Sequence, residues 1–414
     1  MNIIHVMNRS APLPRHLQRA LTKNLNAMPA VVVTGARQAG KTTLVEDLAP
    51  DHRRFLSLDD LDVADLAHRD PDALVGGAKP VTLDEVQLEP NLLRAVKRAI
   101  DRDREPGQFL LMGSTNLLLA KNVSESLAGR ASYLTLWPMT RREQLGIGSS
   151  GRWDELVSTP ESEWLELLRD SDSHPADWKA LARRGGFPTP AIQMRSEADR
   201  AIWFGGYVRT YLERDLRSLA SVSSLPDFRR FMRAICLRIG QIANQTEIGR
   251  DVAIPQPTVH RYLNLLEASY MLIRVPAYAV NRTKRLVKSP KLYWGDVGLA
   301  LHISGEERPT GAHLENVVLQ DLLCWRDASD SQIEIYYWRT TVGDEVDFVI
   351  ESAGALMPIE VKSTKRPRIS DANALRVFRA EYPDSSRAGL LLHTGTLFEW
   401  LTPDVLAAPW WSII

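Results

Sequence analysis

The amino-acid sequence predicts an α/β fold in three parts, and three patterns along its 414 residues indicate it. Apolar strand-like runs alternate with helical patterns over residues 1–147, which is typical of a parallel sheet covered by helices on both faces. Helical periodicity prevails from residue 148 to about residue 281. Between residues 290 and 414, a helix precedes three strand patterns joined by short polar turns. We therefore expect a three-layer α/β core, a helical middle and a C-terminal α/β domain.

Composition narrows the class of protein. Hydrophobic residues make up 44% of the chain and charged residues 25%, as in ordinary soluble globular proteins of two to four domains. The formal net charge is zero, so a nucleic acid or a membrane would have to meet a local patch. The N-terminal apolar run is too short for a signal peptide, and no apolar stretch is long enough to span a bilayer. Two cysteines, Cys236 and Cys324, exclude a disulfide scaffold and fit a reducing compartment. We expect a cytoplasmic protein with no membrane partner.

A phosphate-binding loop follows the apolar β-branched run that begins at Val31. The spacing G-x-x-x-x-G-K-T, with a strand before it and a helical pattern after it, is the signature of this loop. Gly35 and Gly40 let backbone N–H groups converge on phosphates beside a helix N-terminus. Lys41 would neutralise the terminal phosphates, and the Thr42 hydroxyl would bind Mg²⁺. We expect nine consecutive residues to contact the nucleotide: Gly35, Ala36, Arg37, Gln38, Ala39, Gly40, Lys41, Thr42 and Thr43.

The second half of the same site is predicted at the ends of two further strand patterns. The run from Pro80 ends in adjacent carboxylates, Asp84 and Glu85. Asp84 would hold Mg²⁺ through water, and Glu85 would polarise the attacking water as a general base. The strand Phe109–Gly113 runs into polar residues that could sense the γ-phosphate, although a polar loop after a strand is common: Ser114, Thr115 and Asn116. These residues together predict the binding and hydrolysis of ATP with Mg²⁺.

Other elements complete the predicted core. They are a helix over Leu13–Leu25, a strand over Arg54–Leu58 with an acidic loop at Asp59–Asp62, a helix over Asn91–Asp101 and a strand over Ala131–Leu136. Arg130 stands directly before the last strand. It could complete a neighbouring subunit's active site by stabilising charge on the transferring phosphoryl group, which predicts a homo-oligomer. A surface arginine or a helix cap is the alternative.

The middle of the chain contains a helix-turn-helix pattern. Helical periodicity runs through Glu161–Arg169, Trp178–Arg183, Arg200–Leu219 and Asp227–Gly240, with a break at Gly185–Pro188. A short helix from Thr246, a turn at Ile254–Gln256 and a second helix beginning at Pro257 then form the helix-turn-helix. Met271–Val275 and the segment up to Tyr293 would add a hairpin wing.

A basic run lies beside this pattern. Between Arg274 and Lys291 every charged residue is basic: Arg274, Arg282, Lys284, Arg285, Lys288 and Lys291. A run of one sign beside a candidate recognition helix indicates contact with DNA phosphates. The alternative is a winged helix that serves only packing within the chain or between subunits.

Polar residues of the C-terminal strands suggest a second site. Because side chains alternate along a strand, Glu360 and Lys362 share one face, and Asp347 points away from its apolar neighbours. Two carboxylates and a lysine on adjacent strands suit Mg²⁺ or Mn²⁺, and such a metal could activate water for attack on a phosphodiester. The arrangement resembles the PD-(D/E)xK nucleases, which implies Glu315, Asp347 and Glu360 as metal ligands and Lys362 as the catalytic lysine. An inert adaptor with a salt-bridged polar cluster remains the alternative.

Nearly the full length resembles the bacterial and archaeal AAA+ ATPases that carry a C-terminal DUF4143 domain. The motifs that carry this resemblance are Gly35–Thr42, Leu83–Glu85, Ser126–Arg130, Gly185–Pro188, Tyr211–Asp215, Thr246–Leu266, Pro290–Asp296, Glu345–Phe348 and Ile359–Lys362. We divide the chain into an ATPase core (1–147), a helical lid (148–235), a winged helix-turn-helix (236–289) and a nuclease-like DUF4143 domain (290–414).

Three functions fit this organisation. The leading expectation is an ATP-hydrolysing protein that acts on DNA and couples nucleotide state to the winged helix and a metal-dependent nuclease. The rival is a nucleotide-dependent regulatory switch, or one component of a toxin–antitoxin pair, whose C-terminal domain only binds a partner or DNA. An ATPase that acts on protein partners is the third.

Overall fold

A computed structural model of the protein describes residues 12–46, 53–77, 80–114, 127–170, 173–210, 224–280 and 288–414. It confirms the α/β class. A parallel sheet lies in the N-terminal domain, helices form the middle, and a mixed sheet lies in the C-terminal domain. No helix in these ranges is both long enough and apolar enough to cross a membrane.

The N-terminal sheet has five strands, and every neighbouring pair is parallel. The strands are β1 (Ala30–Thr34), β2 (Arg54–Ser57), β3 (Val81–Asp84), β4 (Phe109–Gly113) and β5 (Ala131–Thr135), in the spatial order β2-β3-β4-β1-β5. Strands β1, β3 and β4 are buried along their whole length, which explains why their sequences are continuous apolar runs rather than alternating ones. Because all strands run the same way, the loops that follow β1, β3 and β4 meet at one edge of the sheet.

The helices of this domain are α1 (Leu17–Ala27), α2 (Lys41–Glu46), α3 (Leu61–Arg69), α4 (Pro71–Val75), α5 (Leu92–Arg102) and α6 (Arg141–Gln144). Only the second half of the predicted acidic loop at Asp59–Asp62 lies in a helix, because α3 begins at Leu61. Asp60 Oδ1 accepts the N–H groups of Asp62 at 2.9 Å and Val63 at 3.4 Å, so the carboxylate caps the helix. Acidic residues at this position therefore begin a helix because they satisfy its free N–H groups.

In its described residues, the middle consists of helices and one hairpin. Its helices are α7 (Trp153–Ser158), α8 (Trp164–Arg169), α9 (Trp178–Arg184), α10 (Glu197–Tyr207), α11 (Leu225–Cys236), α12 (Gln245–Asp251), α13 (Gln256–Ala268) and α14 (Val297–Ser304), and its hairpin pairs β6 (Leu272–Val275) with β7 (Lys291–Trp294). The α12–α13 turn is tight, because a Cβ on Gly249 would lie 2.6 Å from the Ile254 carbonyl oxygen. The hairpin runs across the boundary expected at residue 289, and α14 packs on α9, α10 and α11.

The C-terminal domain is built on α15 (Gly311–Ala328) and a six-stranded sheet with α16 (Asn373–Glu381) beside it. The strands are β8 (Ile333–Arg339), β9 (Glu345–Ser352), β10 (Ala355–Lys362), β11 (Gly389–His393), β12 (Glu399–Thr402) and β13 (Val405–Pro409), in the order β12-β13-β11-β10-β9-β8. The sequence patterns predicted β8, β9 and β10 but not the last three. One apolar core runs through the middle and this domain, and it also includes Ala36 and Ala39 of the phosphate-binding loop.

Candidate functional site

The loop between β1 and α2 has the backbone that a phosphate-binding loop requires. Gly35 has a φ of 145°, Gln38 of 65° and Gly40 of 98°, all in the region that favours glycine. A Cβ on Gly35 would lie only 2.2 Å from the Leu136 carbonyl oxygen, so no larger residue fits there without moving the chain. This conformation turns the backbone toward the start of α2, as the glycine spacing predicts.

Lys41 is buried within this loop. Its ammonium donates to the carbonyl oxygens of Gly35 and Ala36, both at 3.0 Å. Burial lowers the pKa of Lys41 to about 8, although the charges of Glu85 and Asp84 raise it in part. The two carbonyl oxygens are neutral acceptors and do not cancel the charge of the ammonium. The lysine is therefore suited to bind an anionic phosphate.

The two expected Mg²⁺ ligands lie together at the same sheet edge. The Thr42 hydroxyl donates to Asp84 Oδ2 at 3.4 Å, and Asp84 Oδ1 accepts the Glu85 N–H at 2.9 Å. Burial raises the pKa of Asp84, and the Glu85 charge adds to the rise. A hydroxyl and a buried carboxylate are the hard oxygen ligands that Mg²⁺ prefers, so these residues fit Mg²⁺ bound with a nucleotide.

Glu85 stands beside them in a strained backbone. Its φ is 54°, an uncommon value for a residue with a side chain. Its carboxylate accepts hydrogen bonds from the Gln87 amide and, at 3.2 Å, from the Ser114 hydroxyl. Ser114 therefore lies where the sequence placed it, whereas Thr115 and Asn116 fall outside the described residues. Gln87 was not predicted, and its position two residues after Glu85 was the available signal.

Residues distant in sequence hold the phosphate-binding loop in place. The buried Arg15 donates to the carbonyl oxygens of Ala39 at 2.9 Å and Trp137 at 2.6 Å, and its Nε lies 3.1 Å from Glu143 Oε1. The Tyr207 hydroxyl donates to the Arg37 carbonyl oxygen at 3.2 Å. These contacts join segments far apart along the chain, so no local pattern could predict them.

The Gly185–Pro188 segment also touches the loop. A Cβ on Gly40 would lie 3.5 Å from the Pro188 ring. The buried Asp296 carboxylate fixes this segment, because it accepts the Gly186 N–H at 2.6 Å and also caps α14 through the Leu299 N–H at 2.8 Å. The break in the helical pattern is thus a tight turn that joins the phosphate-binding loop to the middle helices.

Arg130 lies far from the phosphate-binding loop of its own chain. Ala30 pairs with Ala131 in the parallel β1–β5 register, so Arg130 lies at the edge where these strands begin. A strand rises roughly 3.3 Å per residue, so the five residues of β1 separate this edge from the loop by roughly 16 Å. The Arg130 guanidinium donates to Asp101 Oδ1 at 2.6 Å. A role in a neighbouring subunit stays a prediction.

The carboxylates of the C-terminal domain surround a lysine that the sequence assigned elsewhere. Lys291 in β7 is 1% exposed, and its ammonium lies 2.6 Å from Glu345 Oε1, 3.0 Å from Asp347 Oδ1 and 3.6 Å from Glu315 Oε2. We call these four residues the Lys291 cluster. Burial alone would lower the pKa of Lys291, but the charges of Asp347, Tyr293, Glu315 and Glu345 raise it well above its usual range. The lysine stays charged inside the domain.

The E-x-K element adjoins the Lys291 cluster. Lys362 and Glu360 form an ion pair on one face of β10, as the alternation predicts, and Asp347 Oδ2 accepts the Val361 N–H at 3.0 Å. Burial, reinforced by the Asp347 charge, raises the pKa of Glu360. Within the described residues, Glu360 Oε2 is buried and has no hydrogen-bond partner.

This arrangement adds a cation that was not predicted to the expected metal set. Lys291 supplies the cation that a metal was expected to supply to Glu315 and Asp347. Across the described ranges, no group of three or more His, Cys, Asp and Glu side chains is arranged to hold a metal ion. Metal binding by Glu315, Asp347 and Glu360 remains a prediction, and it requires that Lys291 be displaced.

Two residues of the predicted basic run form ion pairs within the chain. Lys291 is buried in the cluster, and Arg274 pairs with Glu267 and donates to Asn264 Oδ1 at 2.5 Å. Lys288 is exposed, and Arg282, Lys284 and Arg285 lie outside the described residues. The exposed face of α13 carries polar side chains instead: Gln256, His260, Arg261 and Asn264.

Three family models match the chain. A model described as "AAA domain" matches residues 27–145, "Domain of unknown function (DUF8612)" matches residues 175–310, and "Domain of unknown function (DUF4143)" matches residues 310–413. The first match spans the phosphate-binding loop, Asp84 and Glu85. The second ends after α14, so it includes the whole β6–β7 hairpin.

Related proteins match over most of the chain. An uncharacterized protein of Mycobacterium tuberculosis is 34% identical over 362 residues, which cover 84% of this chain and 74% of that protein. An uncharacterized protein of Haemophilus influenzae is 20% identical over 357 residues, 80% of this chain and 81% of its own. Among solved structures, a Walker-type ATPase of Pyrococcus abyssi is 16% identical with a TM-score of 0.44, over 70% of this chain and 94% of that one.

Proposed function

Since the chain belongs to the AAA-domain proteins that carry a C-terminal DUF4143 domain, we propose that it hydrolyses ATP and that its nucleotide state controls the binding of DNA by the middle region. The nucleotide-binding P-loop ATPase domain follows from the family. The observation that carries hydrolysis is the arrangement of Lys41, Thr42, Asp84 and Glu85 at one sheet edge.

Each of these residues has a distinct part in the proposed reaction. Bound Mg²⁺ would neutralise charge on the β- and γ-phosphates, and Thr42 and Asp84 would hold it. Lys41 would exchange its two loop carbonyls for phosphate oxygens. Glu85 would orient the attacking water and accept its proton, while Gln87 and Ser114 fix the position of the Glu85 carboxylate.

We also propose that Arg130 acts between subunits. Its place at the far edge of the sheet rules out contact with its own chain's phosphate-binding loop, so any part in hydrolysis requires a second copy of the chain. The ion pair with Asp101 would then have to open when the subunits meet. An exposed pair of this kind contributes little free energy, so its opening would cost little.

Arg130→Ala should lower ATP turnover while nucleotide binding stays close to wild type, because only an interaction with the transition state is removed. Mixing Arg130→Ala with Lys41→Ala should restore part of the turnover, since one site of a mixed assembly keeps both residues. Turnover of the mixture is measured against each variant alone. Full turnover by a strictly monomeric wild-type protein would contradict the shared site.

DNA is the ligand that we propose for the helix-turn-helix. Support comes from the exposed polar face of α13 and from Lys288, with the sequence run Arg282, Lys284 and Arg285 beside it. Arginine, glutamine, asparagine and histidine side chains can bond base edges or phosphates. Because the formal net charge of the chain is zero, the attraction for DNA would have to come from this local patch.

Exchanging Arg261 and Lys288 for Glu should weaken DNA binding for all sequences. The slope of log affinity against log salt should become shallower by about 0.9 for each phosphate that the protein no longer neutralises. Binding is measured by fluorescence anisotropy with duplex and single-stranded DNA, and ATP turnover is measured with and without each DNA. Exchanging Lys365 and Arg366, two exposed basic residues of the C-terminal domain, for Glu is the matched control. Wild-type protein without salt-sensitive DNA affinity would refute the DNA proposal.

The Lys291 cluster favours a second candidate for the C-terminal domain. Because Lys291 already pairs with Glu315, Glu345 and Asp347, the domain is suited to bind a partner within a nucleotide-dependent switch rather than to cleave DNA. Incubation of DNA with Mg²⁺ or Mn²⁺ and ATP distinguishes these functions. Cleavage that is abolished in both Asp347→Ala and Glu360→Ala would support the nuclease instead.

A further inference from the structure

Tyr270 occupies an unusual place at the end of α13, the second helix of the helix-turn-helix. Its φ is 60°, in the left-handed region. The helix closes there with bonds from the Tyr270 N–H to the Glu267 carbonyl at 3.0 Å and from the Met271 N–H to the Leu266 carbonyl at 2.9 Å. Glycine is the usual residue at this position, because a side chain is strained in this conformation. A strained residue held in place is a reason to look for a function of its side chain.

The Tyr270 side chain reaches the ATPase core. It is 7% exposed, and its hydroxyl donates to Thr34 Oγ1 at 2.5 Å. The ring packs edge-on against Trp137, with centroids 5.7 Å apart. Burial raises the pKa of Tyr270 to about 12, so the hydroxyl keeps its proton and remains a donor. Thr34 is the last residue of β1 and directly precedes Gly35.

The backbone around Tyr270 packs closely against Gly295. A Cβ on Gly295 would lie 2.1 Å from the Tyr270 carbonyl oxygen, and the Gly295 N–H donates to the Met271 carbonyl at 2.8 Å. The end of α13 is thus clamped to the residue after β7, while its tyrosine is bonded to the end of β1. A displacement at one end of this chain of contacts must move the other end or break the bond.

We propose that Tyr270 is a positioning residue that transmits the nucleotide state of the phosphate-binding loop to the helix-turn-helix through Thr34. The inference rests on the proposed function, and it adds the route of coupling. Binding of phosphate at Gly35–Thr42 shifts Thr34, and α13 follows, because breaking the bond would remove the acceptor that Thr34 offers to the buried Tyr270 hydroxyl. By linkage, a ligand on α13 changes nucleotide affinity by the same factor.

Hydrogen exchange on the full chain tests this route without requiring DNA. Backbone amides of residues 256–275 are followed with and without a non-hydrolysable ATP analogue and Mg²⁺ in wild type, Tyr270→Phe and Tyr262→Phe. Tyr262 is the matched control, because it is a buried tyrosine of α13 whose ring packs on Phe228 and Phe231 instead of the ATPase core. Nucleotide binding is measured in parallel by calorimetry.

We expect the analogue to change exchange of these amides by about fivefold or more in wild type and in Tyr262→Phe, the lower end of typical coupling factors. In Tyr270→Phe the change should fall below about twofold while nucleotide still binds. A structural role alone would alter exchange equally with and without nucleotide, so the difference isolates the coupling.

Retention of the wild-type change in Tyr270→Phe would overturn the proposal. So would a wild-type protein that binds nucleotide without any change in residues 256–275. Thr34→Val removes the same hydrogen bond from the other side and serves as a second test if Tyr270→Phe fails to fold. It should abolish the nucleotide-dependent change in exchange in the same way. Failure of wild type to bind nucleotide would instead refute the proposed function, which the calorimetry reports separately.

Discussion

Glu85→Gln should bind ATP but turn it over about 10²–10⁴-fold more slowly than wild type, because the variant keeps the shape of the side chain and loses only the base. The Glu85 carboxylate accepts hydrogen bonds from Gln87 and Ser114, and a glutamine oxygen can accept one of them, so the local structure should persist. Release of phosphate at saturating ATP measures turnover, and calorimetry measures binding.

Two further variants serve as comparisons for Glu85→Gln. Lys41→Ala should abolish nucleotide binding itself, since the ammonium is the buried cation of the phosphate-binding loop. Glu105→Gln changes an exposed carboxylate of the same domain and should leave both measurements unchanged. Turnover by Glu85→Gln close to that of wild type would remove Glu85 from the mechanism and leave water activation to another group.

The nucleotide site could be predicted because its determinants are local. Glycine spacing, the strand before it and the carboxylates that end the next buried strand are all read within short windows of sequence. Parallel pairing then brings these windows to one edge of the sheet. Arg15, Tyr207 and Tyr270 could not be predicted in this way, because each contacts the phosphate-binding loop or the end of β1 across many residues.

The C-terminal domain was predicted less completely for a different reason. Strands β11 and β13 are short buried runs that parallel pairing adds to the sheet, and apolar runs of this length do not distinguish strand from helix. Lys291 was counted with the basic run, although it lies in the strand Lys291–Trp294, whose other residues are all apolar or aromatic. A lysine inside such a strand indicates a buried partner, and Glu345 and Asp347 are those partners.

Lys291→Met should lower the free energy of unfolding by about 3–5 kcal/mol, because loss of one partner leaves the other buried charges uncompensated. The apolar stem of methionine fills a similar volume, so the loss measures charge rather than packing. Unfolding in urea, followed by tryptophan fluorescence, gives the value. Lys288→Met removes the same charge three residues earlier from an exposed position, and it should change stability by no more than about 0.5 kcal/mol.

Lys291→Met also distinguishes between two roles of the carboxylates, as ion-pair partners of Lys291 or as ligands of a metal ion. In wild type the ammonium of Lys291 holds Glu315, Glu345 and Asp347, so Mn²⁺ should neither bind to this domain nor raise its stability. In Lys291→Met the three carboxylates lose their cation, and added Mn²⁺ should restore part of the lost stability, because a ligand that binds only the folded state stabilises it increasingly as its concentration rises. Removing a second member, in Lys291→Met with Asp347→Ala, should abolish that rescue. The opposite pattern, with Mn²⁺ stabilising wild type and Asp347→Ala abolishing the effect, would mean that Lys291 yields its place to a metal and that these residues form a cation site.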